Sequence, residues 1–254
     1  MKLGISELAW NNTDNLESIL NYLQKNNINF IETIIPKHVN WKDVNLSKLY
    51  NLQSLYKSYD IEILSTQSIL YNSDIKSLYD NEFIDHIILV SDICNELNIK
   101  NLVLGAPSIR NNKFDFDRLT LIFSIIDNIL RERNQILLLE PNSRIYNGNY
   151  FFTVAEIVNF IMHAKFSNIK TMIDTHNILN EKQIPSNICS AYHKHIKHVH
   201  VSENNLTNFK NSIEHVKLAD MLRNINYNGI VVYECMNTTT LFNDIKLFSN
   251  IYNK

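Results

Sequence analysis

The stretch LLLEPNS (residues 137–143) sets three leucines directly against a glutamate. A short continuous apolar run reads as a strand buried on both faces, as in a parallel sheet covered by helices. A carboxylate at the end of such a strand is costly to bury unless it is paired or bound to a cation. Glu140 therefore either reaches solvent or belongs to a site. What ends the other strands decides between them.

Seven further β-rich runs accompany ILLLE (136–140): KLGIS (2–6), NFIETI (29–34), IEILSTQ (61–67), NLVLGA (101–106), IKTMID (169–174), KHVHVS (197–202) and IVVYE (230–234). Their mean separation is roughly 33 residues, the length of one strand plus its crossover helix. The intervening segments have helical periodicity. DNLESILNYLQKNN places Leu16, Ile19, Leu20 and Leu23 on one face, at i, i+3, i+4 and i+7. Thr13, Asp14 and Asn15 offer N-caps ahead of it, and Glu17 puts an acid in the first turn. EFIDHIILVSDICNELN, FDRLTLIFSIIDNILRER, TVAEIVNFIMHA and HVKLADMLRNI behave similarly. No Pro/Gly-rich linker interrupts the alternation, so residues 1–254 are expected to form one α/β domain, a single (β/α)8 TIM barrel. The rival architecture, a doubly wound open sheet, often has a glycine-rich phosphate loop after its first strand. Here that segment reads SELAWNNTD, without glycine.

The 254 residues are 45% hydrophobic and 20% charged, with a formal net charge of −2. That balance gives no electrostatic case for nucleic acid or an anionic membrane. Cys94, Cys189 and Cys235 are scattered, with no CxxC pair, which suits a reducing compartment better than a disulfide framework. MKLGISELAW lacks an apolar signal core, and no run approaches the length of a transmembrane helix. A cytoplasmic location and a small-molecule partner are expected. A homo-oligomer is compatible with the sequence.

The strand ends answer the question that Glu140 raises. The sixth strand ends on Asp174, followed by Thr175, His176 and Asn177; the seventh carries His198 and His200; the eighth ends on Glu234. The second carries Glu32, and the third ends near Gln67. In a barrel these C-terminal ends converge. Two glutamates, an aspartate and a histidine suit one divalent ion, Mn, Mg, Co or Zn. His198 shares a strand face with His200 and is expected to fill a deeper layer. Trp10 offers an apolar wall over a sugar ring, although packing alone also explains it. Lys37, Arg110 and Arg144 follow strand ends and offer contacts for a phosphate or carboxylate, or are merely solvated. His215 caps a helix or touches the site. Cys235, next to Glu234, points to the other strand face and packs.

The ordered segments GISELAW, NFIETI, LLLEPN, MIDTHN, HVHVSENN and YNGIVVYE resemble the xylose-isomerase-like barrel superfamily of sugar and sugar-phosphate isomerases and epimerases. The likeness covers nearly the whole chain and is nearest to the tagatose/psicose 3-epimerase branch. It implies Glu140, Asp174, His200 and Glu234 as metal ligands, with Glu140 and Glu234 also the catalytic acid/base pair. One carboxylate would remove a proton beside a carbonyl and the other return it from the opposite side, through an enediolate held at the metal. Substrate contacts are expected from Glu32, Trp10, Gln67, His176 and Asn177. The sequence departs from the pattern where a histidine gives way to Asn177, an arginine to Leu206 and a glutamate to Tyr146. The metal site therefore looks kept and the sugar recognition changed. A sugar or inositol dehydratase on the same site, and a barrel that binds ligand without turnover, are the alternatives. The superfamily's nucleases need further histidines from strands three and four and a later Asp-x-His. Gln67, Gly105-Ala106-Pro107-Ser108 and the segment after strand seven do not supply them.

Overall fold

The computed structural model describes residues 1–254 apart from Asn211, Asn237 and Lys254. Eight strands, β1 (Lys2–Ser6), β2 (Phe30–Thr33), β3 (Glu62–Thr66), β4 (Asn101–Leu104), β5 (Ile136–Leu139), β6 (Ile169–Asp174), β7 (Ile196–Ser202) and β8 (Ile230–Glu234), close into a barrel in sequence order. Each pairs parallel with its neighbours, and β8 returns to β1 from Lys2↔Ile230 to Ile5↔Tyr233. Every expected strand is present. Helices cover the outside, as the helical-period segments require. Among the described residues no helix is long and apolar enough to cross a membrane.

The three leucines of β5 show why its run is continuously apolar. Leu137 and Leu139 join the large core between strands and helices, while Leu138 packs inside the barrel with Val103 and Met172. Side chains alternate along a strand. Two residues beyond Leu138 and Met172, Glu140 and Asp174 therefore also face inward, above the apolar floor. His198 and His200 follow the same rule on β7. The pairing sets Asp174 opposite His200, and Ser202 opposite Glu234. Glu140 lies one residue past β5 but stays in line with it, its N–H donating to Leu104 O at 3.1 Å.

The loops feeding the strands solve a different problem. The chain has only 4 glycines, yet helices commonly end on a left-handed residue, usually Gly. Asparagine takes that place at Asn27, Asn98, Asn134 and Asn226, with φ of 55°, 56°, 52° and 52°. In each case the next residue's N–H reaches back to the helix: Ile28 to Leu23 O (3.0 Å), Ile99 to Cys94 O (2.7 Å), Gln135 to Leu130 O (2.9 Å) and Tyr227 to Leu222 O (2.9 Å). These closures end the helices that feed β2, β4, β5 and β8. Asparagine tolerates this conformation because its short polar side chain can bond locally. Asn134→Gly is expected to raise the denaturation midpoint slightly. Asn134→Val should cost about 1–2 kcal/mol, read from urea unfolding curves; no loss in the valine variant would refute this account of the cap.

Candidate metal centre

Each strand end delivers its side chain by a local device. Asp174 ends β6 and also caps the helix Thr175–Asn180, its Oδ1 accepting from Asn177 N at 2.7 Å and from Ser202 Oγ at 3.1 Å. Glu140 is held through its backbone and its surroundings. The Arg110 guanidinium donates to the carbonyls of Glu140 (3.0 Å), Leu104 (3.0 Å) and Gly105 (2.6 Å), tying the ends of β4 and β5 together. A Cβ at Gly105 would collide with Glu140 Oε2, so glycine is what leaves the carboxylate its room. His200 and Glu234 need only the inward phase of β7 and β8.

The result is a convergence. One donor atom from each of Glu140, Asp174, His200 and Glu234 lies within 4.8 Å of all the others. His200 Nδ1 stands 3.3 Å from both Glu140 Oε1 and Glu234 Oε2. It nevertheless makes no well-aligned hydrogen bond among the described residues, although it is buried. Donors around a shared centre have this geometry; a hydrogen-bonded pair does not. The electrostatics agree. Burial, with the charges of Glu140 and Glu234 added, pushes the Asp174 carboxyl up to about 7. Burial works against a charged His200, but Glu234 and Glu32 hold its proton well above the ordinary imidazole value. Three carboxylates and one imidazole nitrogen, collected in a buried spot that attracts positive charge, fit a divalent cation.

A second trio lies directly beneath. Glu32, His198 and His200 are all buried, with Glu32 Oε1 2.7 Å from His200 Nε2 and Glu32 Oε2 2.9 Å from His198 Nε2. Burial disfavours a charge on Glu32, but His200 and His198 hold it well below the usual carboxylate range. An ionised carboxylate has no proton to give, so His200 Nε2–H donates to it. A cation at the centre would take the place of the proton on Nδ1, so that its lone pair faces the cluster while Nε2–H stays on Glu32, as in the carboxylate–histidine–metal arrangement. Glu32, expected as a substrate contact, turns both oxygens towards two histidines beneath the cluster. His198 occupies the deeper layer.

The other expected contacts divide. His176 stands at the mouth, its Nε2 2.8 Å from the Tyr146 hydroxyl. Burial and the charges of Asp174, Glu140 and Glu234 raise the Tyr146 hydroxyl, which places this pair beside the ligand set. Asn177, expected as a substrate contact, has its amide engaged within the protein: it donates to Phe152 O at 3.0 Å and accepts from Gln183 at 2.9 Å. Gln67 is buried and donates to Ser6 Oγ. Trp10 is nearly buried, with Lys37 Nζ 5.6 Å from its ring centroid. Cys235 packs, its thiol pushed up to about 12 chiefly by burial. Sequence reasoning missed the part played by Ser202 and Gly105, and marked Tyr146 only as a departure from the family pattern, without its bond to His176. A glycine directly after a strand, in a glycine-poor chain, was the signal available for Gly105.

The class these features define is an eight-stranded (β/α)8 barrel with a candidate metal site, a carboxylate–histidine cluster, at the C-terminal ends of β5 to β8. This chain belongs to the Xylose isomerase-like TIM barrel family, which it matches over residues 20–248. No curated protein matches it as a relative. Among solved structures it is similar to 3-keto-D-glucoside 4-epimerase from E. coli, with a TM-score of 0.78 at 15% identity over 98% of this chain and 99% of that one. D-psicose 3-epimerase from Clostridium cellulolyticum H10 gives 0.76 at 17% identity, over 100% and 92%. AP endonuclease, family 2, from Brucella melitensis gives 0.78 at 13%, over 98% and 99%. At these identities the likeness is one of fold.

Two outcomes test the centre. Asp174 binds its proton more tightly in the fold than in an unfolded chain, so this group makes stability fall as pH rises from its ordinary 3.8 to about 7. A cation that displaces the proton relieves that loss. The rise in melting temperature on adding Mn²⁺ should therefore be largest above pH 7 and shrink towards pH 5. Equal shifts at pH 5 and 8 would contradict the account. Glu32→Gln should weaken Mn²⁺ binding by about 10–100-fold while circular dichroism shows the fold intact. Unaltered affinity in a calorimetric titration would mean that Glu32 does not act through His200.

Proposed function

We propose that this chain is a divalent-metal-dependent isomerase or epimerase of a small sugar or sugar-like carbonyl compound. The observation that carries the reading is the position of two carboxylates about one buried imidazole. Glu140 and Glu234 each lie 3.3 Å from His200 Nδ1, and their side chains are 15% and 9% exposed, whereas His200 is sealed. Asp174 is about as exposed as Glu234, but its Oδ1 is committed to the Asn177 N–H and Ser202 Oγ, which leaves Glu140 and Glu234 as the carboxylates for proton transfer.

A substrate carbon lying between them would have a carboxylate on either side. Glu140 or Glu234 takes the proton from the carbon next to the carbonyl, and the other carboxylate returns one from its own side. Retrieval from the opposite side inverts the centre, which is epimerisation. Return to the neighbouring carbon moves the carbonyl, which is isomerisation. A divalent ion held by Glu140, Asp174, His200 and Glu234 supplies Lewis acidity for the charge that develops on the substrate oxygens. Glu32 keeps His200 in the orientation this requires, and Ser202 does the same for Asp174. The activities for which D-psicose 3-epimerase and 3-keto-D-glucoside 4-epimerase are named, both on carbonyl sugars, support the reading.

Glu140→Gln and Glu234→Gln should each lower the incorporation of solvent deuterium into a ketose by about 10²–10⁴-fold, with melting temperatures near that of the parent. Undiminished exchange in both variants would sink the assignment. Product mass separates the dehydratase alternative, whose product is lighter by one water.

A further inference from the structure

We infer that the substrate is an uncharged polyhydroxy carbonyl compound bearing a second ring, and that this ring occupies a cavity beside the metal centre. The inference rests on the isomerase or epimerase reading above.

The cavity, about 570 Å³, lies between the helix Thr175–Asn180, which follows β6, and the helix Ile213–Asn224, which follows β7. Its size is that of a small-molecule site. It reaches within one hydrogen bond of a ligand, because Ser202 in its wall donates to Asp174 Oδ1. His176 belongs both to this wall and to the mouth, through its bond to Tyr146. None of the four candidate ligands lines the cavity, so His176 and Ser202 form the wall between, and a second ring on a substrate held at Glu140 and Glu234 would reach the cavity over His176. The lining combines the apolar Ile178 and Leu218 with Asn204 and the Glu203–His215 pair, 3.1 Å apart. A pyranose ring, apolar on its faces and hydroxylated at its edge, matches that mixture.

Charge separates a second sugar ring from a phosphate. The cavity's cations, Lys182 and Lys210, are balanced by Glu203 and Glu214 in the same lining. The three strand-end cations that offered an anion site are already committed. Lys37 Nζ donates to the carbonyls of Glu7 (2.7 Å) and Trp10 (2.6 Å). Arg110 is buried and spends its guanidinium on three carbonyls. Arg144 pairs with Glu181 and lies 3.7 Å from Glu156. An unpaired phosphate next to three carboxylates would lack the cation it needs.

Three ketoses that share a reacting end test this: D-fructose, D-fructose 6-phosphate and isomaltulose, in which a glucosyl group sits on the same oxygen that carries the phosphate. Binding is measured by calorimetry with and without Mn²⁺, and exchange as deuterium incorporated next to the carbonyl. Isomaltulose should bind at least about tenfold more tightly than fructose, and the phosphate ester no more tightly than fructose. Leu179 lines the cavity from a helix position 67% exposed, so Leu179→Trp fills the space without disturbing the core and should abolish the gain. Leu121→Trp, 69% exposed on the helix Phe116–Glu132, should retain it. Preference for the phosphate, no preference for isomaltulose, or a gain that survives Leu179→Trp overturns the inference. If the order of binding holds but no sugar exchanges deuterium, the isomerase reading falls and the subsite stands.

Discussion

Three carboxylates that repel one another are held against a single imidazole, and most of the upper barrel serves that constraint. Like charges at close range in a buried spot drive one another towards protonation, as the raised Asp174 shows. The fold opposes this from several directions. Ser202 and the Asn177 N–H bond Asp174. Arg110 draws the backbone of Glu140 to the end of β4. Glu32 places a counter-charge beneath His200. None of these groups is itself a donor to the centre, and each fixes the position of one that is.

The inward faces of the strands form two tiers because side chains alternate. The lower tier, Val103, Leu138 and Met172, is apolar. The upper tier carries the donors. Glu32 and His198 lie between the two in function, sealed like the floor and polar like the site. Burying a carboxylate and two imidazoles there is tolerable because each Glu32 oxygen faces a histidine within 2.9 Å. The same economy governs the cations nearby. Lys37, Arg110 and Arg144 hold loops in place through carbonyls and carboxylates, so each already has partners within the protein. Rigid positioning of the mouth and affinity for an anion are here in direct competition for the same groups.

The carboxylate–histidine cluster was legible before folding because strand phase is a local property. LLLEPNS, IKTMID and IVVYE each put a carboxylate at the inward position that follows apolar ones, HVHVS puts His200 above His198, and closing the barrel brings such positions together. The eight strands were equally legible from their apolar runs. The helix closures were not. An abundance of asparagine conceals Asn27, Asn98, Asn134 and Asn226 among residues that do nothing special, and only their backbone angles separate them.

What sequence alone determined was the fold class and the residue types that the strand ends carry, since both follow from periodicities of a few residues. Tertiary structure decided the partners. Glu32 and His200 are separated by 168 positions, and nothing local announces that they touch. Asn177 was expected at the substrate and bonds Phe152 and Gln183; Arg110, weighed as an anion contact or a solvated cation, is a buried backbone clamp. The cavity beside Ser202 exists only because two helices, each following a different strand, leave space between them. Side-chain direction, burial and the commitment of each charge depend on contacts made across the barrel, and those are fixed only when it closes.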